Sequence, residues 1–235
     1  MKQIIVAAAA ALSFAGGSAL AADLPAKAPY YKAPQGYYGW TGCYIGVQGG
    51  FASMRSKNSF KDGLPTFTAE ANTNDDGGIF GGHLGCNLQY NQWVIGLEGD
   101  GEWTDLKGND GGARGDINEL SARWLASVRG RLGVTVGASL LYATGGVAFM
   151  GARSAVLDAG EQESIRRTIT GWTIGGGWEY AFAPNFSTRI EYRYTDFGTE
   201  DFRFPTNDYI ERHNDIRVHA VRVGLTYRFG GYRYW

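Results

Sequence analysis

Residues 170–194 read TGWTIGGGWEYAFAPNFSTRIEYRY, and side chains of opposite character alternate along almost all of this stretch. Before the tripeptide Ala183-Pro184-Asn185, one face carries Trp172, Ile174, Trp178, Tyr180 and Phe182, and the other carries Thr173, Gly175, Gly177 and Glu179. After the tripeptide, Phe186, Ile190, Tyr192 and Tyr194 oppose Ser187, Arg189, Glu191 and Arg193. A period of two indicates a β-strand with one apolar and one polar face. The stretch therefore predicts two antiparallel strands joined by a short turn.

The same alternation recurs from Trp40 to Phe229 in eight segments: 40–53, 77–90, 91–104, 119–132, 139–152, 168–182, 186–199 and 216–229. Only the fifth is ambiguous, because both of its faces are apolar. The connections alternate between long and short, as in outer-membrane barrels with short periplasmic turns and longer extracellular loops. We therefore predict an all-β fold, an eight-stranded antiparallel up-and-down transmembrane β-barrel.

The N-terminus has the organisation of an export signal. Lys2 precedes a short apolar run, which ends in the small-residue site Ala19-Leu20-Ala21. This pattern predicts a signal peptide over residues 1–21, cleaved between Ala21 and Ala22. Residues 22–39 hold three of the six prolines and predict an extended periplasmic tether, so the barrel domain is predicted over residues 40–235.

The aromatic residues lie towards the strand ends on the apolar face, which favours a lipid-facing outer surface with two interfacial girdles. The periplasmic girdle is predicted from Trp40, Tyr90, Trp93, Phe182, Phe186 and Phe229, and the extracellular girdle from Phe51, Trp103, Trp172 and Tyr194. The alternative is a soluble barrel of the lipocalin type, which would place the apolar face inside and the charges outside.

The polar face carries charges that would point into the lumen. The predicted inward acids are Glu98, Asp100, Glu102, Glu179 and Glu191, and the predicted inward bases are Arg123, Arg129, Arg131, Arg189, Arg193, Arg222 and Arg228. An eight-stranded barrel leaves little interior space beyond its side chains. We therefore predict a cross-strand ion-pair network that plugs the lumen. A narrow charge-lined pore is the alternative.

The two cysteines occupy the apolar faces of the first two segments. If this hairpin is symmetric about Pro65, Cys43 and Cys86 lie within one residue of being directly opposite each other. Opposed Cβ atoms in an antiparallel pair approach closely enough for a bridge, so the spacing predicts a Cys43–Cys86 disulfide. Two free cysteines acting as small apolar residues are the alternative.

Several function classes are disfavoured by the residues. A formal net charge of −1 and the lack of a basic run argue against nucleic acid as a partner. Two cysteines cannot form a Cys₄ zinc site, and the aspartate clusters lack calcium-loop spacing, so no metal or cofactor is expected. The three histidines accompany no serine nucleophile motif, so an enzyme is not expected.

Longer motifs resemble a known family. They are ALAADLP at 19–25, WTGCYIG at 40–46, GGHLGCN at 81–87, WVIGLEGD at 93–100 and VRVGLTYRF at 221–229. Together they are similar to the alphaproteobacterial outer-membrane immunogenic, porin-family small β-barrel proteins, within the outer-membrane-protein-A-like superfamily. Most members stop at the aromatic residue that closes the last strand, here Phe229, whereas this chain continues to Trp235.

The resemblance implies a bacterial outer-membrane surface protein that supports envelope integrity and is recognised by host immunity. The implied partners are outer-membrane lipids and lipopolysaccharide, the barrel-assembly machinery, and the cell wall or host factors. A narrow porin and an adhesin or ligand-binding barrel that acts through its extracellular loops are the alternative functions.

Overall fold

A computed structural model describes residues 38–61, 70–111, 117–158, 161–204 and 209–229. The predicted signal peptide with its cleavage point, most of the predicted tether and the C-terminal residues 230–235 lie outside these ranges. Within them, no helix is long and apolar enough to cross a membrane.

Eight antiparallel strands close into a barrel in which each strand pairs with its sequence neighbours and the last pairs with the first. They are β1 (Gly42–Lys61), β2 (Glu70–Tyr90), β3 (Trp93–Gly111), β4 (Ile117–Val136), β5 (Ser139–Asp158), β6 (Glu161–Ala183), β7 (Phe186–Phe204) and β8 (Tyr209–Phe229). The predicted up-and-down barrel is confirmed. Closure pairs the backbone of the first and last strands, so the sheet has no open edge that would expose unpaired amides to lipid.

Two-residue turns connect the strands at one end, at 91–92, 137–138 and 184–185. Asn91 and Gly137 adopt φ angles of 52° and 61°, a left-handed conformation that asparagine and glycine tolerate better than other residues. Because short turns are typical of the periplasmic side of outer-membrane barrels, we call this the periplasmic end and the opposite end the extracellular end.

The strands are longer than the sequence predicted, at 19 to 23 residues instead of about 14. Most of the added length lies at the extracellular end, where β1 runs to Lys61 and β2 begins at Glu70. Beyond the bilayer both faces of a strand meet water, so apolar and polar residues no longer alternate there. The backbone hydrogen bonds between strands nevertheless continue. The long connections expected at 105–118, 153–167 and 200–215 are therefore largely strand.

The strands are staggered around the barrel. Following paired residues once around the barrel from Tyr44 leads back to Met54, ten residues further along β1. A stagger of this kind accompanies a strand tilt of roughly 40° in barrels. The tilt brings side chains that are distant in sequence to the same depth in the lumen.

The outer face is apolar, as expected for a transmembrane barrel. Phe51, Leu88 and Tyr90 are 78%, 69% and 79% exposed, whereas Glu98 and Arg228 are 1% and 0% exposed. Trp93 and Trp103 lie ten residues apart on β3, which corresponds to about 25 Å along the barrel axis at the rise and tilt of barrel strands. This distance matches the apolar band of outer-membrane barrels, and the soluble-barrel alternative is wrong.

Candidate functional site

The barrel lumen is the candidate site, and it contains three layers of buried, inward-facing side chains. From the periplasmic end these are an aromatic layer, an ion-pair layer and an apolar layer. The aromatic layer contains Tyr38, Trp40, Val94, Leu140, Tyr142 and Ala181. The ion-pair layer contains Glu98, Asp100, Glu102, Glu179, Glu191, Arg129, Arg131, Arg189, Arg193, Arg222 and Arg228, none of them more than 9% exposed.

Glu98 is the acid with the most arginine partners. Its Oε1 lies 2.5 Å from Nη2 of Arg129, and its Oε2 lies 2.6 Å from Nη1 of Arg189 and 3.8 Å from Nη1 of Arg131. The Tyr44 hydroxyl also donates to Oε2 at 2.8 Å. One carboxylate thus ties β3 to β1, β4 and β7, because inward positions on these strands reach the same depth.

Asp100 and Glu191 form a second centre with two arginines. Arg193 donates to Asp100 and to Glu191, both at 2.9 Å, and Arg129 donates to the same two acids, both at 3.0 Å. Ser127 and Tyr142 supply further donors to Asp100 and Glu191. Because Arg129 also binds Glu98, the two centres share a guanidinium and form one continuous network.

The remaining pairs extend this network to both sides. Arg222 binds Glu102 with two hydrogen bonds of 2.6 and 2.7 Å, the bidentate geometry that suits a guanidinium and a carboxylate. Glu179 accepts from Arg131, and Arg228 lies 3.4 Å from it. All five acids are therefore paired with six arginines, which makes the burial of these charges tolerable.

Aromatic rings lie against the periplasmic side of the network. The Arg131 guanidinium lies 3.8 Å from the centre of the Tyr142 ring, and that of Arg228 lies 4.7 Å from the Trp40 ring. Glycines on adjacent strands make room for such rings. A Cβ atom at Gly177 would lie 2.6 Å from the Tyr142 hydroxyl, closer than real contacts allow.

Trp40 does not belong to the periplasmic girdle. It is fully buried, its carbonyl accepts from Arg228 at 2.7 Å, and its amide donates to Gln89 at 2.7 Å. Tyr38, expected in the tether, is also buried and contacts the Trp40 ring edge-on. The prediction failed because Trp40 precedes β1, where strand alternation does not determine side-chain direction. Residues 38–40 instead fill the periplasmic mouth of the barrel.

Arg123 is the other correction, since it was predicted inside the lumen and is exposed on the outer surface. The pairing of β4 with β5 shifts between Ala122 and Trp124, so Arg123 is an extra residue in a β-bulge. A bulge interrupts the alternation, and counting positions from Arg129 therefore gives the wrong side for Arg123.

The apolar layer was not predicted. All eight strands contribute to it, and its members are Ala52, Met54, Ile79, Leu106, Ala122, Leu125, Ala148, Met150, Ala152, Ile169, Phe197, Ile216, Val218 and Ala220. Each is at most 7% exposed. The fifth segment gave a signal for this layer, because its second apolar face holds Ala148, Met150 and Ala152. A strand that is apolar on both faces can meet lipid on one face and an apolar section of the lumen on the other.

The other girdle residues face outward. Tyr90, Trp93, Phe182, Phe186 and Phe229 surround the periplasmic end, and Phe51, Trp103, Trp172 and Tyr194 lie towards the extracellular end. Beside Tyr194, His219 accepts or donates a hydrogen bond of 2.8 Å with the Tyr192 hydroxyl. Trp124 and Phe80 also face outward near this girdle and were not predicted.

The disulfide between Cys43 and Cys86 is present, as predicted, and its Cα atoms lie 3.9 Å apart. The two cysteines are direct partners in the pairing of β1 with β2. Both face outward near the periplasmic end. Among the side chains that the structure describes, no group of three or more histidines, cysteines or acids is arranged to hold a metal ion.

The chain is similar to known outer-membrane proteins. The family model described as the outer membrane protein beta-barrel domain matches residues 7–229. The 31 kDa outer-membrane immunogenic protein of Brucella melitensis is 34% identical, over 97% of this chain and 100% of its own length. The 22 kDa outer membrane protein of Rhizobium leguminosarum bv. viciae is 30% identical, over 81% of this chain and 78% of its own. The crystal structure of Neisserial surface protein A covers 80% of this chain and 99% of its own, at 15% identity and a TM-score of 0.42.

Proposed function

Because this chain belongs to the outer membrane protein β-barrel family and lies in the bacterial outer membrane, we propose that it is a sealed structural barrel that supports the envelope. The observation that supports the proposal is the burial of the side chains that face the lumen. The charged side chains of one layer are at most 9% exposed, and the apolar side chains of the next layer are at most 7% exposed. A side chain that lined an aqueous pore would be exposed to solvent.

The two layers act as seals in series. Ions crossing the lumen would need to break paired charges in the ion-pair layer and would then meet an apolar section that offers no hydration. Hydrophobic constrictions close channels by excluding water. Removal of charges alone therefore leaves the second seal in place, and removal of apolar bulk alone leaves the first.

Planar-bilayer conductance of the refolded full chain tests this proposal. We expect the wild type to be silent and Arg129→Ala/Arg222→Ala to remain nearly silent, because the apolar layer persists. We expect discrete current steps when Met150→Ser and Leu106→Ser are added, because small polar side chains admit water. The heat-dependent gel mobility of folded barrels verifies that each variant is closed.

Arg217→Ala is the matched control, because Arg217 faces outward and should leave the conductance unchanged. Steady steps in the wild type would contradict the proposal and make the protein a narrow porin. Steps in the variant that lacks only the two arginines would show that the apolar layer does not seal.

The family also suggests partners for this barrel. We propose that the barrel-assembly machinery inserts it and that surface exposure makes it an antigen, as the names of its Brucella relatives indicate for those proteins. Its role is proposed to be non-catalytic. The adhesin alternative concerns the extracellular connections, whose central residues lie outside the described ranges. Deletion of one connection with a cell-binding assay tests that alternative.

A further inference from the structure

Three arginines lie together on the outer surface of neighbouring strands, Arg123 on β4, Arg153 on β5 and Arg166 on β6. Arg153 and Arg166 are direct cross-strand partners. Arg123 lies in the bulge between Ala122 and Trp124, beside the part of β5 that leads to Arg153. Arg123 and Arg166 are exposed and Arg153 is half-buried. We call these residues the arginine cluster.

The cluster lies on the extracellular side of the extracellular girdle. Arg123 is adjacent in sequence to the outward-facing Trp124, and Arg166 is six residues beyond Trp172 towards the extracellular end of β6. Interfacial tryptophans mark the boundary between hydrocarbon and head groups in barrels. Outward side chains at the level of the cluster therefore meet the polar part of the outer leaflet.

The described side chains place no carboxylate in an ion pair with these charges. Like charges directly opposite each other on a sheet are destabilising, and Arg153 faces Arg166 in this way. Among the described side chains, no ion pair joins a member of the cluster to a carboxylate. Arg217, another outward arginine, differs because it lies 3.5 Å from Asp196 and 3.4 Å from Asp215. Among the described residues, the cluster therefore lacks carboxylate partners of the kind that Arg217 has.

We propose that the arginine cluster is a binding site for the phosphate groups of lipopolysaccharide in the outer leaflet. Guanidinium groups bind phosphate oxygens with paired, charge-assisted hydrogen bonds. Lipopolysaccharide occupies the outer leaflet and presents phosphates at the membrane surface, next to the cluster. Binding would offset the repulsion between Arg153 and Arg166 and would fix the barrel at a defined depth. The site is on the outer surface and does not depend on whether the lumen conducts.

Native mass spectrometry of the refolded full chain in a zwitterionic detergent tests the site. The probes are bis-phosphorylated lipid A, lipid A with its phosphates removed, and inorganic phosphate. We expect the wild type to bind the phosphorylated lipid about tenfold or more tightly than the dephosphorylated one. Electrostatic attraction between each arginine and the anionic lipid strengthens the binding. We expect Arg123→Gln/Arg153→Gln/Arg166→Gln to lose that preference.

Arg217→Gln is the matched control and should change lipid A binding by less than about twofold, because carboxylates already pair with Arg217. Arg166→Gln alone provides a milder variant should the triple substitution fail to fold, and it should weaken binding by about threefold. Equal binding by wild type and folded variants, equal binding of the dephosphorylated lipid, or full displacement of lipid A by inorganic phosphate would each overturn the proposal.

Discussion

At the scale of the residue, Glu98 shows why the charges of the lumen belong together. Its carboxylate lies within 3.8 Å of Arg129, Arg131 and Arg189. None of these arginines is adjacent to it in sequence, and each comes from β4 or β7. Parity along β3 indicated that Glu98 faces inward, but only the pairing of the strands determined which arginines it meets.

Glu98→Gln should destabilise the barrel by about 3 kcal/mol or more, because it leaves three buried guanidinium groups short of one negative charge. Urea unfolding followed by tryptophan fluorescence measures the change. Asp76→Asn is the control, since Asp76 is exposed, and its effect should stay within about 0.5 kcal/mol. Similar losses in the two variants would mean that Glu98 contributes no more than a surface acid.

Trp40→Ala should cost about 3–5 kcal/mol in unfolding free energy, because it empties a fully buried position against Arg228. Trp93→Ala should cost clearly less, since Trp93 is 50% exposed on the outer face. The same unfolding assay compares them. Equal losses of unfolding free energy in the two variants would indicate that Trp40 is no more buried than the girdle residue Trp93.

At the scale of the element, each strand follows the alternation of apolar and polar side chains within the bilayer. Beyond the bilayer, the backbone hydrogen bonds to neighbouring strands continue it. The predicted segments located all eight strands but ended several residues early at the extracellular end. Irregularities in pairing, such as that at Ala122 and Trp124, were invisible in the sequence. A bulge depends on the register of the neighbouring strand, which no local pattern encodes.

Deletion of Arg123 should leave a folded barrel, because Ala122 and Trp124 then continue the alternation of β4 without the extra residue. Deletion of Val128 should abolish folding, because it interrupts the in–out alternation of β4. Either Leu125 or Arg129 would then face the lipid instead of the lumen. Heat-dependent gel mobility after refolding distinguishes the outcomes. A misfolded Arg123 deletion alongside a folded Val128 deletion would contradict the assigned bulge.

At the scale of the whole molecule, a covalent bond joins the first two strands near the end at which the chain enters the barrel. The Cys43–Cys86 bond links β1 and β2 near the periplasmic end, while β1 also pairs with β8. Closure of the sheet therefore does not depend on the bond. The bond restricts the unfolded chain over a sequence separation of 43 residues.

Cys43→Ala/Cys86→Ala should still fold, with a loss of about 4 kcal/mol in unfolding free energy from the less restricted unfolded chain. Urea unfolding of the oxidised wild type and the double variant measures this loss. Mass measurement after alkylation without reduction provides the control, since the wild type should carry no adduct. Two adducts on the wild type would exclude the bond in solution.

The sequence by itself determined the class of the protein, the number of strands, the face exposed to lipid and the partners in the disulfide. The first three features depend on a period of two, which each strand carries locally, and the disulfide also depends on the symmetry of the first hairpin about Pro65. The tertiary structure alone decided the acid–arginine pairs, the outward turn of Arg123, the burial of Trp40 and the extension of the apolar layer to all eight strands. These features depend on the depth of each side chain within the lumen. That depth follows from the ten-residue stagger around the barrel, from the bulges and from the place where the chain enters the barrel. Such non-local quantities arise only when the barrel closes.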